Sequence, residues 1–542
     1  MTQTLKTLRD SAGMRWTALL LLAFAMFCSY VFMDILSPIK DLMQDTRGWD
    51  SASFGRMQGA EVFLNVYVFF LIFAGIILDK MGVRFTAVLS GVVMLAGAVI
   101  KFYAISDAFT GTGLEQWFTD NLNWNGNLPV IGAILPFDAA MPASAKLAAC
   151  GFMLFGCGVE MAGITVSRGI VKWFKGRETA LAMGSEMALA RLGVATCMIF
   201  SPYFAKLGGE VHVDNAVKFG VVLLCIALVM FITYFFMDRK LDSQTGEAEE
   251  TDDPFKISDL GKIFSSLGFW LVALLCVLYY SAIFPFQKYA VNMLQCNLDL
   301  TPADPDTFWG GSLVTWVQYV LMLVVAVSSF SSNFIKNSKL TKYCLMGLAT
   351  VTLAIYCYMG YMRGTAETIF AVFPLLAVAI TPILGSYVDH KGKAASMLML
   401  GSILLVACHL TFAFVLPGVS ASSAAGGVVV AYITILVLGA SFSLVPAALW
   451  PSVPKLVDEK IIGSAYAAIF WIQNIGLGLF PALIGMVLNN TNPQGTAAHE
   501  LDYTWALVML AALGIASLLI SAYLKTVDKK KGYGLELPNI QE

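Results

Sequence analysis

Fourteen apolar blocks run through the 542-residue chain, at roughly 16–36, 57–78, 85–104, 146–169, 179–204, 217–237, 267–286, 312–332, 341–361, 367–387, 395–416, 427–448, 463–487 and 503–524. A helix rises 1.5 Å per residue, so about 20 residues cross the hydrocarbon core of a bilayer. That core offers no water to the backbone, so each block is expected to close its own hydrogen bonds as a helix. The whole chain is 58% hydrophobic and only 13% charged, more apolar than a soluble core of this size needs to be. The expected class is an all-α polytopic membrane protein. Lys6, Arg9 and Arg15 precede the first block, but no small-residue cleavage site follows Trp16–Val31. The block therefore reads as a span and not as a removed signal.

The basic residues set the threading. With the N-terminus in the cytoplasm, 24 of the 34 Lys and Arg fall on the cytoplasmic side and nine on the other; the last, Arg191, lies within a span. Basic residues are retained on the cytoplasmic side, so both termini are expected there, in the plasma (inner) membrane. The ten cysteines are mostly scattered inside apolar blocks without a C-x-x-C, and the four histidines are far apart. This argues against a disulfide framework and a metal site. The one long cytoplasmic connector includes an acidic stretch, Gly246–Asp253, read as a solvated linker. The segment after it, "PFKISDLGKIF", reads as an interfacial helix leading into the next span.

Two cytoplasmic turns repeat one pattern. "GIILDKMGVR" (Gly75 to Arg84) and "GSYVDHKGKA" (Gly385 to Ala394) each have Gly, Asp four residues later and Gly three after that. Glycine suits a tight turn, and Asp79 and Asp389 are expected to face the positive N-terminal end of a neighbouring helix. Two such turns indicate duplicated halves. They resemble the signature turn of the major facilitator superfamily. The resemblance implies two six-helix halves that rock about a central site, with Asp79, Arg84 and Asp389 as gating residues. The implied division is an N-terminal half 1–237, a linker 238–266, a C-terminal half 267–526 and a cytoplasmic tail 527–542. Two surplus spans make a hairpin at about 312–361, expected outside the transport core.

Charges within spans point to the site. Glu160 in "LFGCGVEMAGIT" and Arg191 in the next block lie about 18 and 20 Å from the cytoplasmic ends of their helices, at one level. An intramembrane charge costs at least about 2.5 kcal/mol at a helix centre, so it faces a partner or a cavity. The two could form a purely structural ion pair, or they could line a binding site at the midplane of a duplicated transporter.

Three stretches, "VKWFKGRETALAMGSEMALARLG", "FWLVALLCVLYYSAIFPF" and "ALWPSVPKLVDEKIIGSAYAAIFWIQNIGLGL", resemble the lysosomal dipeptide transporter subfamily. The resemblance implies that Glu160 holds a dipeptide's α-ammonium and Arg191 its α-carboxylate. It also suggests Asp34, Tyr280, Trp450, Gln473 and Asn474 as further substrate contacts. The chain departs from that subfamily in its extra hairpin, the lack of an acidic dileucine signal near its start, and a single glycosylation sequon at Asn489. Lysosomal residence and a glycosylated partner are therefore not carried over.

The leading reading is a dipeptide uniporter working by alternating access. The alternatives are a proton-coupled carrier of another small organic acid or anion and a substrate sensor without flux. No nucleophile–base pair or ligand set for an enzyme appears. The expected partners are a small zwitterion and the lipid bilayer, for a monomer with no cofactor, metal or nucleic acid.

Overall fold

The computed structural model describes residues 7–124, 129–175, 177–245, 257–333, 335, 338–457 and 462–538. Among them there are helices and no strand. The principal helices are α1 (Ala12–Met33), α2 (Ser51–Gly59), α3 (Phe63–Tyr67), α4 (Phe70–Ile105), α5 (Ala143–Trp173), α6 (Thr179–Ala205), α7 (Val213–Thr245), α8 (Leu267–Asn297), α9 (Ser312–Ser332), α10 (Lys339–Arg363), α11 (Val372–Lys391), α12 (Ala394–Leu410), α13 (Ala424–Leu456), α14 (Ile462–Thr491) and α15 (Thr504–Lys531). Thirteen stretches of the described residues are long and apolar enough to cross a membrane. The chain is a multi-pass membrane protein built as two six-helix halves with an inserted hairpin, α9–α10.

The fourteenth expected span is the block at 57–78, which is not one continuous helix. It is assembled from α2, a 3-10 turn (Ala60–Val62), α3, and the first part of α4 after a break at Phe69, whose φ is 56°. Gly82, with φ 78° and ψ 166°, then turns the chain back into the third span. The matching turn in the second half has Gly392 at φ 72° and Lys393 at φ 66°. These are positions where a left-handed backbone favours glycine. Gly75 and Gly385, read from sequence as turn glycines, lie within helices and have open space around them, so the turns rest on Gly82 and Gly392.

One end of the bundle carries both chain tails, and the other carries the long segment after Ile105. At this loop end and mid-bundle the halves meet along a seam of α2 and α14. A Cβ on Gly55 would overlap the Pro481 carbonyl, one on Gly59 the Gly478 carbonyl, and one on Gly485 the Ser51 carbonyl. On the opposite side α9 rests on α6 through Phe200, whose ring centroid lies 4.9 Å from that of Trp316 and 4.8 Å from that of Tyr319. Gln318 is buried but turns to Arg363 of its own hairpin (2.6 Å), and Trp316 is half exposed. Neither residue meets Glu160 or Arg191, and much of α10 is exposed, as suits lipid contact.

Several boundaries differ from the expectation. α7 and α8 run past their apolar blocks, to Thr245 and Asn297. The acidic stretch Gly246–Asp253 lies outside the described residues, while a short helix, Ile257–Ser265, leads into α8. Of the nine basic residues assigned to the loop side, Lys40, Arg56, Lys101, Lys146 and Lys288 are buried in the protein. The expected tail at 527 is helix up to Lys531. Residues beyond it fold back so that Lys393 and Ala394 donate backbone N–H bonds to Glu536 and Leu535, and the Glu536 carboxylate accepts from Ser396 N–H at 2.8 Å.

Candidate functional site

Long apolar helices fix the depth of every side chain they carry, and Glu160 of α5 and Arg191 of α6 both fall near mid-helix. They do not pair: no ion pair joins them among the described residues. Glu160 instead accepts a hydrogen bond from Asn474 Nδ2 of α14 at 3.1 Å, a contact between the two halves. The Arg191 guanidinium is ringed by aromatic faces, with its carbon 5.0 Å from the Phe442 centroid, 5.2 Å from Phe284 and 5.9 Å from Tyr30. Such faces stabilise a cation electrostatically without using its N–H donors. No hydrogen bond from its forked donors occurs among the described residues, which leaves them for a planar acceptor such as a carboxylate, and Glu186 of the same helix lies within electrostatic reach. Tyr30 of α1 lies within electrostatic reach of both Glu160 and Arg191, so the separated charges share one region.

The aromatic ring continues away from Arg191. Phe284 stacks on Tyr280 at 5.4 Å, Tyr280 lies 6.4 Å from Trp450, and Trp450 stacks on Phe470 at 4.8 Å. The structure thus joins Tyr280 and Trp450 to the surroundings of Arg191 through Phe284, and Asn474 to Glu160. Gln473 turns the other way, its Oε1 facing Cys276 Sγ at 3.3 Å within the second half. Phe442, Phe470 and Tyr30 were not singled out by sequence, because an aromatic ring in an apolar block carries no signal that separates lining from packing.

Asp34 is not a solvated helix end, and the groups it binds are not Glu160 or Arg191. It is 1% exposed and binds Lys288 Nζ at 2.7 Å, Gln287 Nε2 at 2.7 Å and Ser37 Oγ at 3.2 Å. This pair bridges the halves on the loop-end side. Sequence could not find it, because Lys288 falls just past an apolar block and reads as a loop charge. Lys101, another such residue, is fully buried between Phe152 (3.6 Å) and Phe32 (5.2 Å).

The gating candidates sit at the tail end. Asp79 binds Arg168 Nη1 of α5 at 2.6 Å, so its partner is a guanidinium and not a helix N-terminus. Arg84 binds Asp242 of α7 at 2.8 Å, and Lys172 binds both Asp238 and Asp242 at 2.7 Å. Asp389 lies within electrostatic reach of Lys455 at the end of α13. A side-chain network thus braces this end of the first half. No cluster of His, Cys, Asp or Glu suited to a metal ion occurs among the described residues.

Comparison with known proteins agrees with this architecture. The sequence model of the Major Facilitator Superfamily matches residues 22–366. The chain is 25% identical over 347 residues to the lysosomal dipeptide transporter MFSD1 of Bos taurus, covering 62% of this chain and 58% of that protein. It is 23% identical over 520 residues to the Danio rerio protein of the same name, covering 94% and 88%. The first of these matches thus spans less than two thirds of its relative. Among solved structures, the nucleoside transporter NupG superposes with a TM-score of 0.58 at 11% identity, over 94% of this chain and 98% of that one. A structure of proton dependent oligopeptide transporters gives 0.56 at 11%, over 95% and 98%. At such identity these superpositions show the fold alone.

Proposed function

From the premise that the chain belongs to the Major Facilitator Superfamily, we propose that it is a uniporter that moves dipeptides across a membrane by alternating access of its two halves. The observation that carries this reading is the separation of Glu160 from Arg191. The carboxylate is held by an amide of the opposite half, and the guanidinium by ring faces that leave its donors free. A zwitterion with its charges at two ends would match these two groups, the α-ammonium at Glu160 and the α-carboxylate at the Arg191 fork. The aromatic run from Phe284 to Trp450 would take a side chain. The relatives named as dipeptide transporters support the same substrate class.

The tail end is proposed to face the cytoplasm, on the asymmetry of the basic residues. The burial of five of the nine basic residues counted against that threading strengthens the argument, since they are not loop charges. The relatives' names place them in lysosomes; for this chain the plasma membrane is the proposed location, on its near-absence of glycosylation sequons, and imaging of a fluorescent fusion tests it. Uptake of labelled dialanine into proteoliposomes tests the function. Uptake should follow the dialanine gradient and be unchanged by an imposed pH gradient. Uptake that required the pH gradient would replace the uniporter with a proton-coupled carrier, and binding without uptake would leave a sensor.

A further inference from the structure

Asn65 lies on α3, the five-residue helical piece in the broken second span. It is 2% exposed, and both side-chain atoms, Oδ1 and Nδ2, are buried with no hydrogen-bond partner. Nothing in an apolar span requires an amide, and a buried amide left unmade is unfavourable. Its position suggests what would satisfy it. One turn earlier, the Glu61 carbonyl abuts Gly156 of α5. The second span and α5 both run from the loop end to the tail end, so four residues further along each, Asn65 comes level with Glu160. α14 runs the opposite way. Its Trp471 Nε1 donates to Val66 O at 3.0 Å, and its Gly478 abuts Gly59. Asn474 lies between those two contacts and reaches Glu160. Asn65, Glu160 and Asn474 therefore stand at one level where three helices meet.

The segment carrying Asn65 is also set apart mechanically. It is bounded by the 3-10 turn Ala60–Val62 on one side and by Phe69 on the other. Phe69 holds a left-handed backbone (φ 56°, ψ 36°) that costs a bulky residue energy and tends to persist at functional positions. Neither flank continues a regular helix, so α3 is a separate short unit, tied to α14 by the Trp471–Val66 bond.

We propose that Asn65 is a substrate-binding residue whose carboxamide oxygen accepts a hydrogen bond from the α-ammonium that Glu160 holds. An ammonium has three donors, and one carboxylate does not satisfy all of them. This inference rests on the dipeptide reading. It makes Asn65 a selector for a free amino terminus.

The test uses the purified full-length chain, with dialanine and N-acetyl-dialanine as probes and thermal unfolding and binding as readouts. Asn65→Leu removes both polar atoms and keeps the branching and heavy-atom count of the side chain, though its methyl groups are bulkier. It should raise the melting temperature of the empty protein, because the unsatisfied amide is gone. It should also weaken dialanine binding about 10- to 100-fold, as expected for a hydrogen bond to a charged group. Binding of the acetylated compound should not change. Asn65→Asp, which keeps an acceptor, should retain the preference for the free amine. If the leucine does not fit, Asn65→Ala is read in the same way for binding. An Asn65→Leu protein that bound dialanine as tightly as the wild type would overturn the role of Asn65 and leave the dipeptide reading intact. A wild-type protein indifferent to dialanine would overturn both.

Discussion

Glu160 and Arg191 differ in what holds them, and so in what their replacement should do. Glu160→Gln keeps the volume and the Asn474 contact but removes the charge proposed to hold an α-ammonium. The mutant should lose most binding of free dialanine while discriminating little against N-acetyl-dialanine, as competition binding would show. Arg191→Lys keeps the charge but loses the planar fork and the close approach of the guanidinium to the Phe284 and Phe442 rings. A loss of about 2–5 kcal/mol in dialanine affinity is expected, as for truncating one side of a buried charge pair. Unaltered affinity in a folded Arg191→Lys protein would remove the guanidinium from the site.

The seam between α2 and α14 is where two helices approach backbone to backbone. Gly55→Ala puts a methyl group into the Pro481 carbonyl and should cost about 1–3 kcal/mol, the usual range for overpacking. Gly347→Ala on α10 meets open space and is the control; equal melting temperatures for the two variants would show that the seam yields. At the tail end, Asp79→Asn removes the partner of Arg168. Both side chains are a little over one-quarter exposed, so the stability change should stay within about 1 kcal/mol. On the proposed alternating-access cycle, the transport rate should change more than dialanine affinity does, because the pair would brace an end that moves. Uptake kinetics that match the wild type would count against a gating role.

The two halves are tied together at the loop end. Besides Asp34–Lys288, Lys40 Nζ meets Asn292 at 3.1 Å, Gln295 meets Asp41 at 3.2 Å, and Asn489 meets Asp50 at 2.6 Å. Toward the tail end, Ile76, Met187, Ile383 and Tyr387 are exposed. This arrangement is a state closed at the loop end. In this state Asp34→Asn would take from buried Lys288 the carboxylate it bonds and leave it Glu61 within electrostatic reach, at a cost of up to about 3–5 kcal/mol. The balance should shift toward opening at the loop end, read as a longer distance between spin labels on Thr119 and Asp306. A distance distribution equal to that of the wild type would show that the pair is not a lock.

The class, the duplicated halves and the mid-helix placement of Glu160 and Arg191 were legible in the chain alone. Block length and hydropathy are local properties, the turn glycines Gly82 and Gly392 answer to local backbone needs, and helical rise converts position into depth. That is why Glu160 and Arg191 could be set at one level before any contact was known. Which residues meet which was not legible in the sequence and came from the packing of the helices. Asp34 pairs with a lysine some 250 residues away that hydropathy reads as a loop charge, and Asp79 takes Arg168 in place of a helix end. Asn474 reaches Glu160 from the other half, and Arg191 finds aromatic rings where a counter-ion was one of the alternatives. These outcomes depend on which helices are neighbours, and the apolar faces that choose neighbours in a bilayer look alike in sequence.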